Sequence, residues 1–144
     1  MTIMSEVFNL QRKHKIDSGL LHSFTEAALA LIQETNDRGC SVALVPDRRM
    51  KELNSLFRGK KSTTDVLSFP RQPDQFDPGT TNLGDIVISV EQAQKQAEEN
   101  GLTLEGEIKQ LILHGVLHLC GYDHETDKGE MNSRELELRE QLGI

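Results

Sequence analysis

The chain has 144 residues, 4% of them aromatic and none tryptophan, and a formal net charge of −7 at pH 7. At roughly 150 residues per domain the length predicts one domain over residues 1–144. An acidic chain this poor in aromatics excludes indiscriminate nucleic-acid binding and a broad base-stacking surface.

In chain order, Glu6 to Leu10 reads as a first strand. Ser18 is placed to cap a helix through Leu21, Phe24, Ala28, Leu31 and Ile32, whose three- and four-residue spacing gives one buried face, ending near Gly39. Ser41 to Val45 is a β-prone run stopped by Pro46. Asp47 then caps a second helix with Met50, Leu53 and Phe57 inward and Gly59 as its terminator. Asp65 to Phe69 and Asp85 to Val90 read as two further strands. The stretch between them, Pro70 to Asn82, holds three of the four prolines and is read as a long loop and candidate lid. Ser89 and Gln92 form a capping box for a helix through Ala97 that ends near Gly101, and Thr103 opens another that runs to Cys120. An amphipathic helix with Leu136, Leu138 and Leu142 closes the chain. The expected fold is a small α+β domain, a mixed sheet of roughly four strands packed with about five helices.

The longest clean apolar run, Ala27 to Ile32, is far shorter than the ~18 residues of a membrane span. No signal-peptide core precedes Arg12 and Lys13, and the two distant cysteines, Cys40 and Cys120, make no disulfide framework. The expectation is a cytoplasmic protein with no membrane partner. Between Arg48 and Arg71 seven basic residues face only Glu52 and Asp65, so a locally basic stripe interrupts an acidic chain. It suits either one specific anionic ligand or a solvated helix face.

Three of the five histidines fall within eleven residues, His114-Gly115-Val116-Leu117-His118-Leu119-Cys120-Gly121-Tyr122-Asp123-His124. On a helical wheel His114 and His118 flank the position of Glu107, while apolar residues and glycine fill the remaining arc. The helix is therefore buried on most sides, and its one polar sector holds both imidazoles. Gly121 is free to end the helix in a left-handed turn, which swings His124 back toward the other two. Three imidazoles leave a fourth position on a zinc ion for water, as catalytic sites do. The alternative is a closed structural site with Asp123 or Cys120 as the fourth ligand. The spacing follows the zincin pattern H-E-x-x-H-x-x-G-x-x-H, but Gly115 stands where a zincin protease carries its general base.

The run HGVLHLCGYDH resembles the signature of the YbeY family of bacterial metal-dependent endoribonucleases, H-G-x-L-H-L-x-G-Y-D-H, at every fixed position. The likeness extends to Asn54–Pro70, to Leu83-Gly84-Asp85-Ile86, and to Glu130-Met131 and Leu142-Gly143, spanning roughly Val42 to the C-terminus. Several members of that family have proline where Thr63 stands here. The resemblance implies one zinc ion held by His114, His118 and His124. It also implies cleavage of single-stranded ribosomal RNA, 16S rRNA 3′-end processing and ribosome quality control, with the small ribosomal subunit and assembly factors as partners and no DNA. By it Arg58 is a functional arginine. The residues agree, because a guanidinium beside Gly59, followed by Lys60 and Lys61, can grip a phosphate with parallel hydrogen bonds.

Arg58 and Asp123 are thus the catalytic candidates, and Lys60, Lys61 and Arg49 the substrate-binding ones. Asp123 is equally suited to orient a histidine or water and to form a turn. Asp65, Ser68 and Asp85 are read as structural, and Glu107 as an outer support of the histidines or a surface residue. Two rivals stand beside the nuclease: a non-catalytic, zinc-stabilised ribosome-assembly factor and a zinc protease lacking the usual glutamate base.

Overall fold

The computed structural model describes residues 5–71 and 82–144. Four strands, β1 (Glu6–Asn9), β2 (Gly39–Val45), β3 (Val66–Pro70) and β4 (Asn82–Ser89), form one sheet in the order β1-β2-β4-β3. The first three in that order are parallel and β3 is antiparallel to β4, so the sheet is mixed. Five helices accompany it: α1 (Ser18–Leu31), α2 (Asp47–Arg58), α3 (Val90–Asn100), α4 (Leu104–Leu119) and α5 (Glu130–Leu142), with a 3-10 turn at Gln33–Thr35. The expected α+β class, strand number and helix number match. No helix among the described residues is long and apolar enough to cross a membrane.

Alternation along the strands builds two unequal cores. Cys40, Val42 and Leu44 of β2 join Leu83 and Ile88 of β4 in the large core, packed with residues of α1, α3, α4 and α5. Val45, Leu67 and Val87 face the other way, where α2 supplies Met50. Helix α4 packs on α1, α3, α5, β3 and β4, and nine of its residues are buried. Its backbone approaches β4 closely at Gly115, where a Cβ would come 2.9 Å from Ile86 Cγ2.

Several sequence expectations are corrected. Asp17, not Ser18, caps α1, its carboxylate accepting from the Leu20 amide at 3.1 Å. That helix ends at Leu31, well short of Gly39, because Ile32 is extended (φ −80°, ψ 106°). Pro46 is the capping position of α2; Asp47 is its first helical residue, and its Oδ1 accepts from the hydroxyls of Thr63 and Ser89. Val90 opens α3 instead of ending β4. Leu31, Phe57 and Leu136 are exposed, at 38, 60 and 54%. On α1 the buried face runs through Thr25 and Leu29. Phe57 overhangs the thinly covered face of the sheet, edge-on to Phe69 with ring centroids 5.1 Å apart. On α5 Glu135 occupies the inward position beside Leu136. The candidate lid falls largely on residues 72–81 and lies outside the described residues.

The Gly115 contact generates a prediction. Gly115→Ala forces a methyl into the Ile86 side chain and should cost about 1–3 kcal/mol, an overpacking penalty, read as a drop of several degrees in Tm. An unchanged Tm would show that the helix does not need this approach.

Candidate metal centre

His114 and His118 leave α4 one turn apart on its polar sector, both half-buried, with their Nε2 atoms 3.1 Å apart. Beyond them the helix is closed by Cys120, whose amide donates to the carbonyls of Val116 and Leu117, and Gly121 takes φ +101°. That left-handed step, which a side chain would strain, turns the chain so that the His124 ring lies 5.5 Å from each of the other two. One nitrogen from each ring lies within 4.8 Å of the others. Ligands 2.0–2.1 Å from a tetrahedral zinc lie about 3.3 Å apart, so the donor set fits such an ion after small ring rotations. Burial, and then the neighbouring His114 and His124, lower the His118 pKa and favour the neutral imidazole that ligation requires.

Among the described residues the ligand cluster contains these three histidines and no fourth group. The Cys120 thiol is pushed up to about 11 by burial and is not a thiolate at neutral pH. Cys40 is buried in the core and raised to about 12 for the same reason. Asp123 Oδ1 accepts from the Glu125 amide at 3.0 Å, and its carbonyl accepts from the amides of Thr126 and Asp127. The turn that Asp123 forms is therefore visible, and its side chain also lines the histidine cavity. A side chain at position 115 would aim into Ile86, so the zincin base has no counterpart there.

That cavity, about 650 Å³, brings His114, His118 and His124 together with Arg58 and Lys60. Arg58, the last residue of α2, is exposed, and among the described residues no carboxylate pairs with it. Lys61 is exposed but does not line the cavity. Arg49 sits at the other end of α2, where it pairs with Glu52 at 2.8 Å. Asp65 has the structural part expected of it, accepting from the Val66 amide at 2.8 Å and from Gln96 at 3.1 Å, and it also lines the cavity. Ser68 lines it too, its hydroxyl 3.5 Å from the Gly115 carbonyl, whereas Asp85 is exposed along the groove that holds Phe57 and Phe69. Glu107 is neither on the surface nor against a histidine; it is buried and accepts from Asn100 at 2.8 Å.

Two supports were not read from the sequence. Glu135 Oε1 meets His114 Nδ1 at 2.7 Å, and Arg139 holds its other oxygen at 2.8 Å. Burial alone would raise Glu135; the bond to His114 and the charge of Arg139 outweigh it and hold the carboxyl below its ordinary range. A carboxylate on Nδ1 fixes the tautomer that leaves Nε2 free for a metal. Met131, Glu135, Leu138 and Leu142 recur at four, three and four residues, so a glutamate on that apolar stripe was the available signal. The second support is Glu34, which accepts from Tyr122 Oη at 2.8 Å and from Arg134 Nε and Nη2 at 2.9 and 3.0 Å. It ties the loop that carries His124 to α5. The Arg134 hydrogen bonds, opposed by burial and aided by Tyr122, lower Glu34 from 4.5 to about 2.

Both supports are testable. Glu135→Gln keeps the shape but removes the charge on Nδ1, and should weaken zinc affinity about 10- to 100-fold in a chelator competition; unchanged affinity would reduce Glu135 to packing. Glu34, depressed on folding, contributes stability above its unfolded value of 4.5 that is lost as pH falls toward 2. Glu34→Gln should therefore be less stable than the parent by about 1–2 kcal/mol at pH 6, with the gap closing in denaturation curves as pH drops to 2. A gap independent of pH would contradict the assignment.

Comparison with known proteins follows the same lines. The family model for Endoribonuclease YbeY matches residues 6–143, so the likeness reaches back through β1 and α1, further than the motifs alone suggested. The chain is 50% identical over 108 residues to an Endoribonuclease YbeY of Nautilia profundicola, covering 75% of each chain. It is 40% identical over 144 residues to that of Carboxydothermus hydrogenoformans, covering 98% of this chain and 99% of the relative. The solution structure of TM1509 from Thermotoga maritima superposes with a TM-score of 0.65 at 31% identity, over 96% of this chain and 89% of that one. This chain belongs to the YbeY endoribonuclease family.

Proposed function

We infer that the protein is a zinc-dependent endoribonuclease that cuts single-stranded ribosomal RNA, at the 3′ end of 16S rRNA, during maturation and quality control of the small subunit in the cytoplasm. As a member of an endoribonuclease family it is a hydrolase of RNA phosphodiester bonds. The observation that carries the finer reading is one cavity in which three imidazoles lie with the guanidinium of Arg58, which no carboxylate among the described residues pairs. His114, His118 and His124 would hold the ion. When bound, it supplies Lewis acidity toward a water or a phosphoryl oxygen.

The chain's own side chains do the rest. Arg58 donates parallel hydrogen bonds to the scissile phosphate and offsets the charge that builds on it, and Lys60 adds a second cation on the same wall. Asp123 keeps one oxygen in its turn and offers the other to orient the attacking water. Lys61 and Arg49 lie outside the cavity and serve only a strand long enough to pass along α2. Because the protein is acidic overall, with a charge of −7, general attraction to RNA is weak; docking on the ribosomal subunit, with its assembly factors, supplies the encounter. The three-nitrogen cluster, open to the cavity, favours this over a closed structural zinc in an assembly factor.

The test separates the two roles. His114→Ala and His118→Ala should each lose bound zinc and RNA cleavage together, read by elemental analysis and a cleavage assay on single-stranded RNA. Arg58→Ala should keep stoichiometric zinc and the parent Tm while cleavage falls about 100-fold or more. Full cleavage by the folded Arg58 variant would remove it from the mechanism, and zinc retained in both histidine variants would remove the site.

A further inference from the structure

A second cavity, about 520 Å³, lies against the first and shares Asp65, Val66 and His114 with it. It runs between α3, α4 and α5, and nothing in the cleavage reading uses it. Its size is that of a small-molecule pocket. Val66, Leu102 and Leu111 provide apolar wall, and Gln96, Asn100 and Gln110 bring three carboxamides.

The polar groups are arranged with a bias. The Gln96 amide nitrogen donates to Asp65 and that of Asn100 donates to Glu107, so among the described residues each side chain keeps its carbonyl oxygen as an acceptor and one N–H as a donor, and the carboxylates tip the balance toward acceptors. Asp65, Glu107 and Glu135 outnumber Arg139, so the cavity is acidic and repels phosphate. The carboxylates do not form a metal cluster: among the described residues the histidine group is the one set of ligands close enough to share an ion. The Gln110 side chain makes no hydrogen bond to the described residues and offers a donor beside those acceptors. A flat, neutral, donor-rich ligand fits these walls. The phosphate of the same ligand belongs on the other side of His114, with Arg58 and Lys60.

We propose that this cavity is a base-reading subsite that takes the nucleobase next to the scissile phosphate and selects bases with an exocyclic amino group, adenine, cytosine or guanine, against uracil. The amine donates to the acceptor-rich wall of Gln96, Asn100 and Glu107, and Gln110 pairs with the neighbouring ring edge. Uracil, with carbonyls on both sides of its one N–H, turns two acceptors toward a wall dominated by the carboxylates of Asp65, Glu107 and Glu135. The subsite extends the RNA-cleaving reading and gives a specificity to an enzyme whose phosphate contacts carry none.

Two measurements on the zinc-loaded protein test it. In the first, adenosine, cytidine, guanosine and uridine, which contain no phosphodiester bond, are titrated while the side-chain amide NMR signals of Gln96, Asn100 and Gln110 are followed. In the second, cleavage of uridine pentanucleotides is compared with that of pentanucleotides carrying one A, C or G at successive positions. The amino-bearing nucleosides should shift those three signals saturably and bind about tenfold more tightly than uridine. Cleavage should show the same preference at one position beside the cut. In Gln96→Ala and Gln110→Ala, both at partly exposed positions, the discrimination should shrink to within twofold. Equal binding of all four nucleosides, or none, overturns the subsite even if every RNA is cut. Discrimination among nucleosides with no RNA cut upholds the subsite and overturns the nuclease reading instead. Discrimination that survives in both variants overturns the assignment.

Discussion

Helix α4 is buried on all sides but one because Gly115 lets its backbone come against Ile86 of β4, and that seating decides what the two helix-borne histidines can do. A helix packed in this way cannot rotate or slide without tearing apolar residues from the core, so the pair His114 and His118 is presented at a fixed depth and angle. The glycine that makes the approach possible also removes the position from which a zincin protease would act on water. One residue therefore both builds the site and narrows its chemistry.

The third histidine lies beyond the end of α4, and hydrogen bonds hold the chain there. Gly121 turns the chain, Asp123 closes the next turn on itself, and Tyr122 anchors the loop to Glu34 and through it to Arg134 of α5. Helix α5 contributes again through Glu135, which meets His114 from behind with Arg139 at its back. Side chains from the C-terminal helix thus support the histidine cluster twice, directly at His114 and through Glu34 at the loop that carries His124. The cations Arg58, at the end of α2, and Lys60, two residues beyond it, come from a different element than the histidines.

Much of this was legible in the residues. The four-residue step from His114 to His118 and the glycine at 121 predicted a shared face and a return of His124, and both are seen. Periodicity located each α-helix and strand of the described residues, although two caps and the end of α1 were misplaced and the 3-10 turn at Gln33–Thr35 was missed. What it missed follows from one physical fact: a spacing gives a face and does not say what covers it. Phe57 and Leu136 lie on or beside apolar faces yet stay exposed, one because among the described residues only α2 covers that side of the sheet, the other because α5 turns Glu135 inward. Glu34, 88 residues from Tyr122, and Glu135, 21 from His114, belong to pairings that no local pattern encodes. The basic stripe reads as one feature in sequence, yet α2 carries its first four cations along the helix, and of the seven Arg58 and Lys60 line the cavity.

The central claim is that three imidazoles hold a zinc ion in an open cavity facing Arg58. A crystal structure of the purified protein, with diffraction recorded on both sides of the zinc absorption edge, tests it most directly. The account predicts one anomalous peak about 2.0–2.1 Å from a nitrogen of each of His114, His118 and His124, with the remaining coordination position turned toward Arg58 and filled by solvent. A peak with a protein side chain in that fourth position, or no zinc among the three rings, would contradict it.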